Sequence, residues 1–391
     1  MLAALFVWWV GLLLVVGGLL ALLAWWLHYR YWLRRLSLQM EYASVEELAM
    51  PDGGAIELRR VALPDEAGPS HPPVLLVHGI AANHRNNDAA PDYSFARFLH
   101  KSGRDVWLVT MRSGRRSRYT LAARRQSIFK SMVQHDLPQA VDAVLARTGA
   151  PQLDIGVFSM GGMVLYASLG RSLHPARVHR VLVMASPAVL RPLGPLGFWV
   201  RYWPVELTPT LPLRLMMRTL AFAGGLTPPF VARYFYNKPN VPPAVLQASM
   251  VDMLEDIPGA LGAELMRWGA TGGDIRVDGE RALDGLASVT VPACFFAGSV
   301  DWLAPVHAVR IGYEAWGRDV GCHKHFLVLG RATGAREEYG HADIAFGAHA
   351  REDVFEPALR FLDTGDPHAV TERSARLSPD AGVFEGEAPL L

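Results

Sequence analysis

Leu153-Asp154-Ile155-Gly156-Val157-Phe158-Ser159-Met160-Gly161-Gly162 is the stretch that decides the fold. Residues 153–158 read as a buried strand and 160–169 as a helix, with Ser159 on the turn between them. A serine on such a turn points its hydroxyl out at the C-terminal edge of a sheet. Small residues at 161 and 162 let helix and strand approach closely. The first N–H groups of the helix face the hydroxyl and favour negative charge developing there. Taken alone, Ser159 also fits the role of a helix cap.

Working outward, 55–63, 74–77, 105–110 and 180–185 read as strands, and 92–102 and 136–148 as helices. In 136–148 the apolar residues fall at 137, 140, 141, 144 and 145, one helical face. Strands resume at 291–297 and 325–329. The alternation predicts an α/β fold, a mostly parallel sheet with helices on both faces. It stops at Ser186-Pro187. Residues 187–285 are rich in Pro, Gly, Trp and Met, with helical patches at 213–222 and 244–254 and no clear strand. This predicts a helical cap inserted into a single α/β domain spanning 51–364. The polar stretch 365–391 reads as a disordered tail.

At the other end, residues 1–29 contain no Asp, Glu, Lys or Arg. As a helix, 1–27 would be about 40 Å long, enough to cross a hydrocarbon core of about 30 Å with some tilt. Trp8 and Trp9 stand near one end and Trp25 and Trp26 near the other, as in an aromatic belt. Arg30, Arg34 and Arg35 follow. No positive charge precedes the apolar run, unlike a secretory signal peptide. The expectation is a single transmembrane anchor over 1–29 and a juxtamembrane connector over 30–50. The charge bias places the following domain on the cytoplasmic side.

Composition narrows the function. The chain has 391 residues, 51% of them apolar, so a large core is available and wholesale disorder is excluded. With 38 basic and 37 acidic residues the net charge is +1, and no global field draws in nucleic acid. Cys294 and Cys322 are too few for a disulfide framework or a Cys-rich zinc site. There is no metal motif, phosphate loop or dinucleotide fingerprint, and no cofactor is expected.

A serine nucleophile needs a base to take its proton and a group to orient the base. Asp301 follows the strand at 291–297 and His341 follows the last strand, both at the sheet edge that carries Ser159. The chain order Ser, Asp, His is the one such sheets use. Either residue alone could be an ordinary loop side chain; jointly, order and placement point to a triad of Ser159, Asp301 and His341. Oxyanion donors are expected from the N–H groups of Met160, just after the nucleophile, and Ile80, after His78-Gly79. His78 itself reads as a residue bracing its loop.

The sequence resembles the α/β-hydrolase superfamily, most closely ester hydrolases of the acid-lipase type. Leu75-Leu76-Val77-His78-Gly79-Ile80, Asp105-Val106-Trp107-Leu108, His135-Asp136-Leu137-Pro138 and Gly340-His341-Ala342-Asp343-Ile344 carry the resemblance. It implies a Ser-His-Asp triad, an acyl-enzyme intermediate and no cofactor. Two positions depart from the pattern: Val157 stands where a Gly is usual, and Phe158 where His is often found.

The expected activity is hydrolysis of a carboxylic ester, hydrophobic or lipid-like, by a membrane-anchored enzyme. The alternatives are acyl transfer or thioester hydrolysis by the same triad, or a non-catalytic membrane-bound protein of this fold. Two further features are open. Arg112, Arg115, Arg116, Arg118, Arg124 and Arg125 form a basic run that would meet anionic lipid or simply be solvated. Trp199, Trp203, Met216 and Met217 would line an acyl pocket or form the cap's own core.

Overall fold

The computed structural model describes residues 2–62, 71–114, 128–192 and 210–369. Eight strands make one sheet: β1 (Ser44–Ala49), β2 (Ala55–Arg60), β3 (Val74–Val77), β4 (Val106–Thr110), β5 (Leu153–Phe158), β6 (Val178–Met184), β7 (Ala293–Gly298) and β8 (Lys324–Leu329). Their spatial order is β1-β2-β4-β3-β5-β6-β7-β8. The β1–β2 and β2–β4 pairs are antiparallel, and every other pair is parallel. β3, β4, β5 and β7 are buried along their whole length, which is why they read as predominantly apolar runs and not as alternating ones, Asp154 in β5 being held by Arg104.

The longer helices are α1 (Leu2–Leu36), α2 (Phe95–Lys101), α3 (Leu137–Thr148), α4 (Met160–Ser168), α5 (Leu213–Leu220), α6 (Pro243–Asp252), α7 (Gly259–Ala270), α8 (Val306–Ala315) and α9 (Glu356–Thr364). α3 begins with Pro138 in its first turn and stops at Gly149 in the left-handed conformation, φ 69°. Its apolar residues, Leu137, Ala140, Val141 and Val144 among them, are buried against the sheet. Between β6 and β7 the chain leaves the sheet. The described part of that excursion holds α5, α6, α7 and a two-residue ribbon pairing Arg276–Val277 with Glu280–Arg281.

The stretch 30–50 is not a plain connector. α1 runs on through Arg30, Arg34 and Arg35 to Leu36, and Ser44–Ala49 forms the edge strand β1. β1 was hidden because its side chains alternate between half-buried and exposed and include Glu46 and Glu47, so no buried face stands out. The charges in α1 do not interrupt it, since long arginine side chains reach outward from a helix end.

Phe6–Leu36 of α1 contains an 18-residue window with a mean hydropathy of 2.5, long and apolar enough to cross a membrane, and that window is not buried in the fold. Among the described residues, contacts with the rest of the protein are made by its C-terminal end. There Leu33 and Leu36 pack on Met217, Ala221, Met250 and Val251 of the α5–α6 region. Trp32 stacks on Phe222 at 5.9 Å, and the His28 ring meets the same phenyl edge-on at 4.7 Å. The Ser37 hydroxyl and the Leu38 N–H donate to the two carboxylate oxygens of Asp252, at 2.8 and 2.7 Å.

Met217 therefore belongs to the seam between α1 and the inserted helices, and Met216 is exposed; neither is buried in a pocket. Trp199, Trp203, five of the six arginines of the basic run and 370–391 of the expected tail lie outside the described residues. The sixth arginine, Arg112, is buried. Its guanidinium forks between Asp136 (2.6 Å) and Asp52 (2.6 Å), and its N–H donates to Asp136. It is a structural ion pair under the sheet edge and no lipid contact. The guanidinium holds the Asp52 carboxyl down at about 2 despite its partial burial.

Candidate active site

Ser159 sits between β5 and α4 with φ 52° and ψ −120°, a conformation that costs a non-glycine residue about 1–3 kcal/mol. Its neighbours impose it. The Ser159 N–H donates to the Met184 carbonyl of β6 at 2.9 Å, so the turn is tied to the next strand. A Cβ on Gly161 would stand 2.8 Å from the His78 carbonyl oxygen, and one on Gly162 only 2.3 Å from Cβ of Ser186. Both glycines are needed for α4 to start this close to the sheet.

The loop after β3 passes directly over the serine. A Cβ on Gly79 would lie 3.0 Å from Ser159 Cβ. The Gly79 N–H donates to Asn86 Oδ1 at 2.9 Å, and Ile80 follows with its side chain half-buried against the core. His78 is fully buried. Its Nδ1 lies 2.7 Å from the Gly79 carbonyl and its Nε2 accepts the Met111 N–H at 3.0 Å. This fixes the proton on Nδ1. Burial pulls its pKa down to about 4, so the ring is neutral and braces the loop. Met160 opens α4, where the first N–H groups have no partner within the helix.

His341 Nε2 stands 2.9 Å from Ser159 Oγ, and His341 Nδ1 stands 2.8 Å from Asp301 Oδ2. The other oxygen of Asp301 accepts the N–H groups of Leu303 and Ala304, both at 2.8 Å. A carboxylate held this way is an acceptor on every side, so Nδ1 carries the proton and Nε2 is left to accept from the serine hydroxyl. All three groups are nearly buried, at 7% exposure for Ser159, 8% for His341 and 4% for Asp301. The structure thus brings together Ser159, His341 and Asp301, with Met160 at the start of α4 and Ile80 in the loop after β3 beside them.

Four residues support the site in roles not assigned from the sequence. Phe158 lies against the His341 ring, centroids 5.1 Å apart. Asp343, fully buried, accepts the Gly340 N–H (3.0 Å), the Asn237 N–H (3.1 Å) and Asn240 Nδ2 (3.1 Å). It pins the loop that carries His341 to the inserted segment, and burial raises its pKa to about 6. Asn86 and Asn240 complete the set. Asp343 stands two residues after His341 and was visible in that motif; the two asparagines gave no signal, because their partners are set by the fold. Among the described residues, no cluster of three or more His, Cys, Asp or Glu could hold a metal ion.

A family model described as the alpha/beta hydrolase fold matches residues 72–206. Human gastric triacylglycerol lipase is 28% identical over 145 residues, which are 34% of this chain and 36% of the lipase. The chain therefore matches about a third of that protein's length. Among solved structures, a thermophilic esterase from Thermogutta terrifontis superposes with a TM-score of 0.52 at 18% identity, covering 82% of this chain and 98% of its own. A membrane phospholipase A described as a novel bacterial virulence factor gives 0.50 at 18% identity, with 92% and 97% covered. With its parallel sheet and the serine turn after β5, the chain has the alpha/beta hydrolase fold, and the proteins it is similar to include esterases and lipases.

Proposed function

We propose that the protein is a membrane-anchored serine hydrolase that cleaves a carboxylic ester of hydrophobic or lipid-like character. The observation that carries this is the position of His341, within hydrogen-bond reach of Ser159 on one side and Asp301 on the other. In this mechanism His341 Nε2 takes the Ser159 proton as Oγ attacks the ester carbonyl. The N–H groups of Ile80 and Met160 stabilise the oxyanion. Asp301 keeps the imidazole in the required tautomer and stabilises the imidazolium. His341 then protonates the leaving alcohol, and water, deprotonated by the same imidazole, frees the acid from Ser159.

Residues 1–29 serve as the anchor, with the hydrolase domain on the cytoplasmic side as the arginines after the span favour. The lipid-like substrate is supported by the apolar helix and by the lipase and phospholipase among the similar proteins. The test is fluorophosphonate labelling of the full chain in detergent, with Ser159→Ala alongside. Labelling of the wild type alone is expected. Equal labelling of both would remove Ser159 from the mechanism, and no labelling of the wild type would favour a non-catalytic role.

A further inference from the structure

We propose that residues 211–235, in the segment inserted between β6 and β7, form a second membrane contact: a face that dips into the same bilayer leaflet as the C-terminal end of α1. The proposal rests on α1 being the membrane anchor. α5 is strongly two-sided. Leu215, Met216 and Leu220 are exposed, while Met217 turns toward α1. The chain after it continues the apolar surface, with Leu226 80% exposed, Phe230 66% and Phe235 53%. Of the exposed residues between 211 and 235, every one but Arg233 is apolar. Such a contiguous patch on a folded protein marks an interaction site.

Two observations choose a bilayer as its occupant. The first is continuity. Phe222, inside this stretch, packs on His28 and Trp32 of α1, a few residues beyond Trp25 and Trp26. The patch therefore begins where the apolar helix leaves the hydrocarbon, at headgroup depth. The second is charge. Residues 211–235 contain three arginines and no acid, and Arg30, Arg34 and Arg35 are exposed at the adjoining end of α1. Within the segment the charges beside the apolar face are all arginines, of which Arg214 pairs with Glu255, and together with the arginines of α1 they match the composition of a helix lying in an anionic interface. The same segment reaches the candidate active site: the Phe235 carbonyl accepts the Ala342 N–H, and Gly340 abuts Tyr236 and Asn237. A lipid ester would thus approach His341 from the membrane side without crossing water.

The test is depth-dependent quenching. The full chain carrying Cys322→Ser is labelled with a thiol-reactive fluorophore at Leu226→Cys, Phe230→Cys or, as references, Trp25→Cys and Arg318→Cys. It is reconstituted in phosphatidylcholine–phosphatidylglycerol vesicles containing lipids with a nitroxide near the headgroup end of the acyl chain. Quenching at 226 and 230 comparable to that at 25, with none at 318, is the expected result. Quenching at 25 without 226 and 230 overturns the proposal and leaves the anchor in place; self-crosslinking at 226 would then identify a second copy as the occupant. Quenching at none of the three overturns both. The readout needs no turnover, so it is independent of the hydrolase assignment. As a functional companion, Leu226→Glu with Phe230→Glu should lower hydrolysis of vesicle-borne ester about tenfold while hydrolysis of a short soluble ester is kept. An equal loss on both substrates would overturn the assignment of these residues to docking.

Discussion

The Cγ2 methyl of Val157 ends 3.4 Å from where a Cβ on Gly162 would stand. The valine fills the space that the glycine leaves between β5 and α4, and the serine turn keeps its geometry without a glycine two residues before Ser159. Val157→Gly, which restores the usual family pattern, should therefore destabilise the protein by about 2–3 kcal/mol through lost burial and added chain freedom. Gly162→Ala should cost at least about 1–3 kcal/mol, because its methyl would collide with Ser186. Denaturant unfolding of the detergent-solubilised protein measures both. A more stable Val157→Gly would contradict the packing argument.

Asp301→Asn removes the acceptor that keeps the His341 proton on Nδ1. Its amide can present an N–H there, which favours the wrong tautomer. Ester turnover at neutral pH should fall about 10³–10⁴-fold with little change in folding. A loss smaller than tenfold would take Asp301 out of the orienting role.

Asp343→Asn acts at one remove. It replaces an acceptor facing Gly340, Asn237 and Asn240 with a group that can satisfy only part of that set. We expect kcat to drop about tenfold, since a displacement of about 1 Å in a catalytic group costs more than that, with KM for a soluble ester nearly unchanged. An effect on KM alone would assign the residue to substrate binding.

Two buried groups oppose each other as pH changes. His78 titrates at about 4 in the fold but near 6.5 unfolded, so the unfolded chain binds the extra proton and stability falls as pH drops from 6.5 to 4. Asp343 titrates at about 6 in the fold against 3.8 unfolded, so its contribution is present below 3.8 and is lost as pH rises through 6. Each effect is about 3 kcal/mol at full extent, and between pH 4 and 6 they nearly cancel. His78→Asn should expose the Asp343 slope: relative to wild type, the variant gains stability as pH is lowered from 6 to 4. Asp343→Asn should do the reverse. Unfolding midpoints across this range check both signs.

What the sequence shows of the site is set by distance along the chain. Ser159, Asp301 and His341 each follow a strand that reads clearly, and their order names them before any contact is known. β3, β5 and β7 stand out because burial on both faces leaves them almost wholly apolar. β1 does not, because an edge strand has only one neighbour to satisfy. Arg112 was counted with a basic run because the carboxylates that bury it stand 24 and 60 residues away. Asn240 is 103 residues from Asp343 and has no local pattern at all.

Asp252 joins three parts of the molecule. It receives Ser37 and Leu38 at the end of α1, lies 3.7 Å from the Arg85 guanidinium, and its carbonyl accepts from Asn83, four residues past Gly79. Cutting the chain after Leu38, just past α1, to obtain a water-soluble fragment would strip two donors from that carboxylate. It would also lay bare Met217, Ala221, Met250 and Val251. The loop beside Ser159 would then lose its outer brace. Removal of α1 and the residues just after it is thus expected to perturb the candidate active site, and sluggish turnover by such a truncated chain would report a slackened loop and leave the chemistry of the intact protein unjudged.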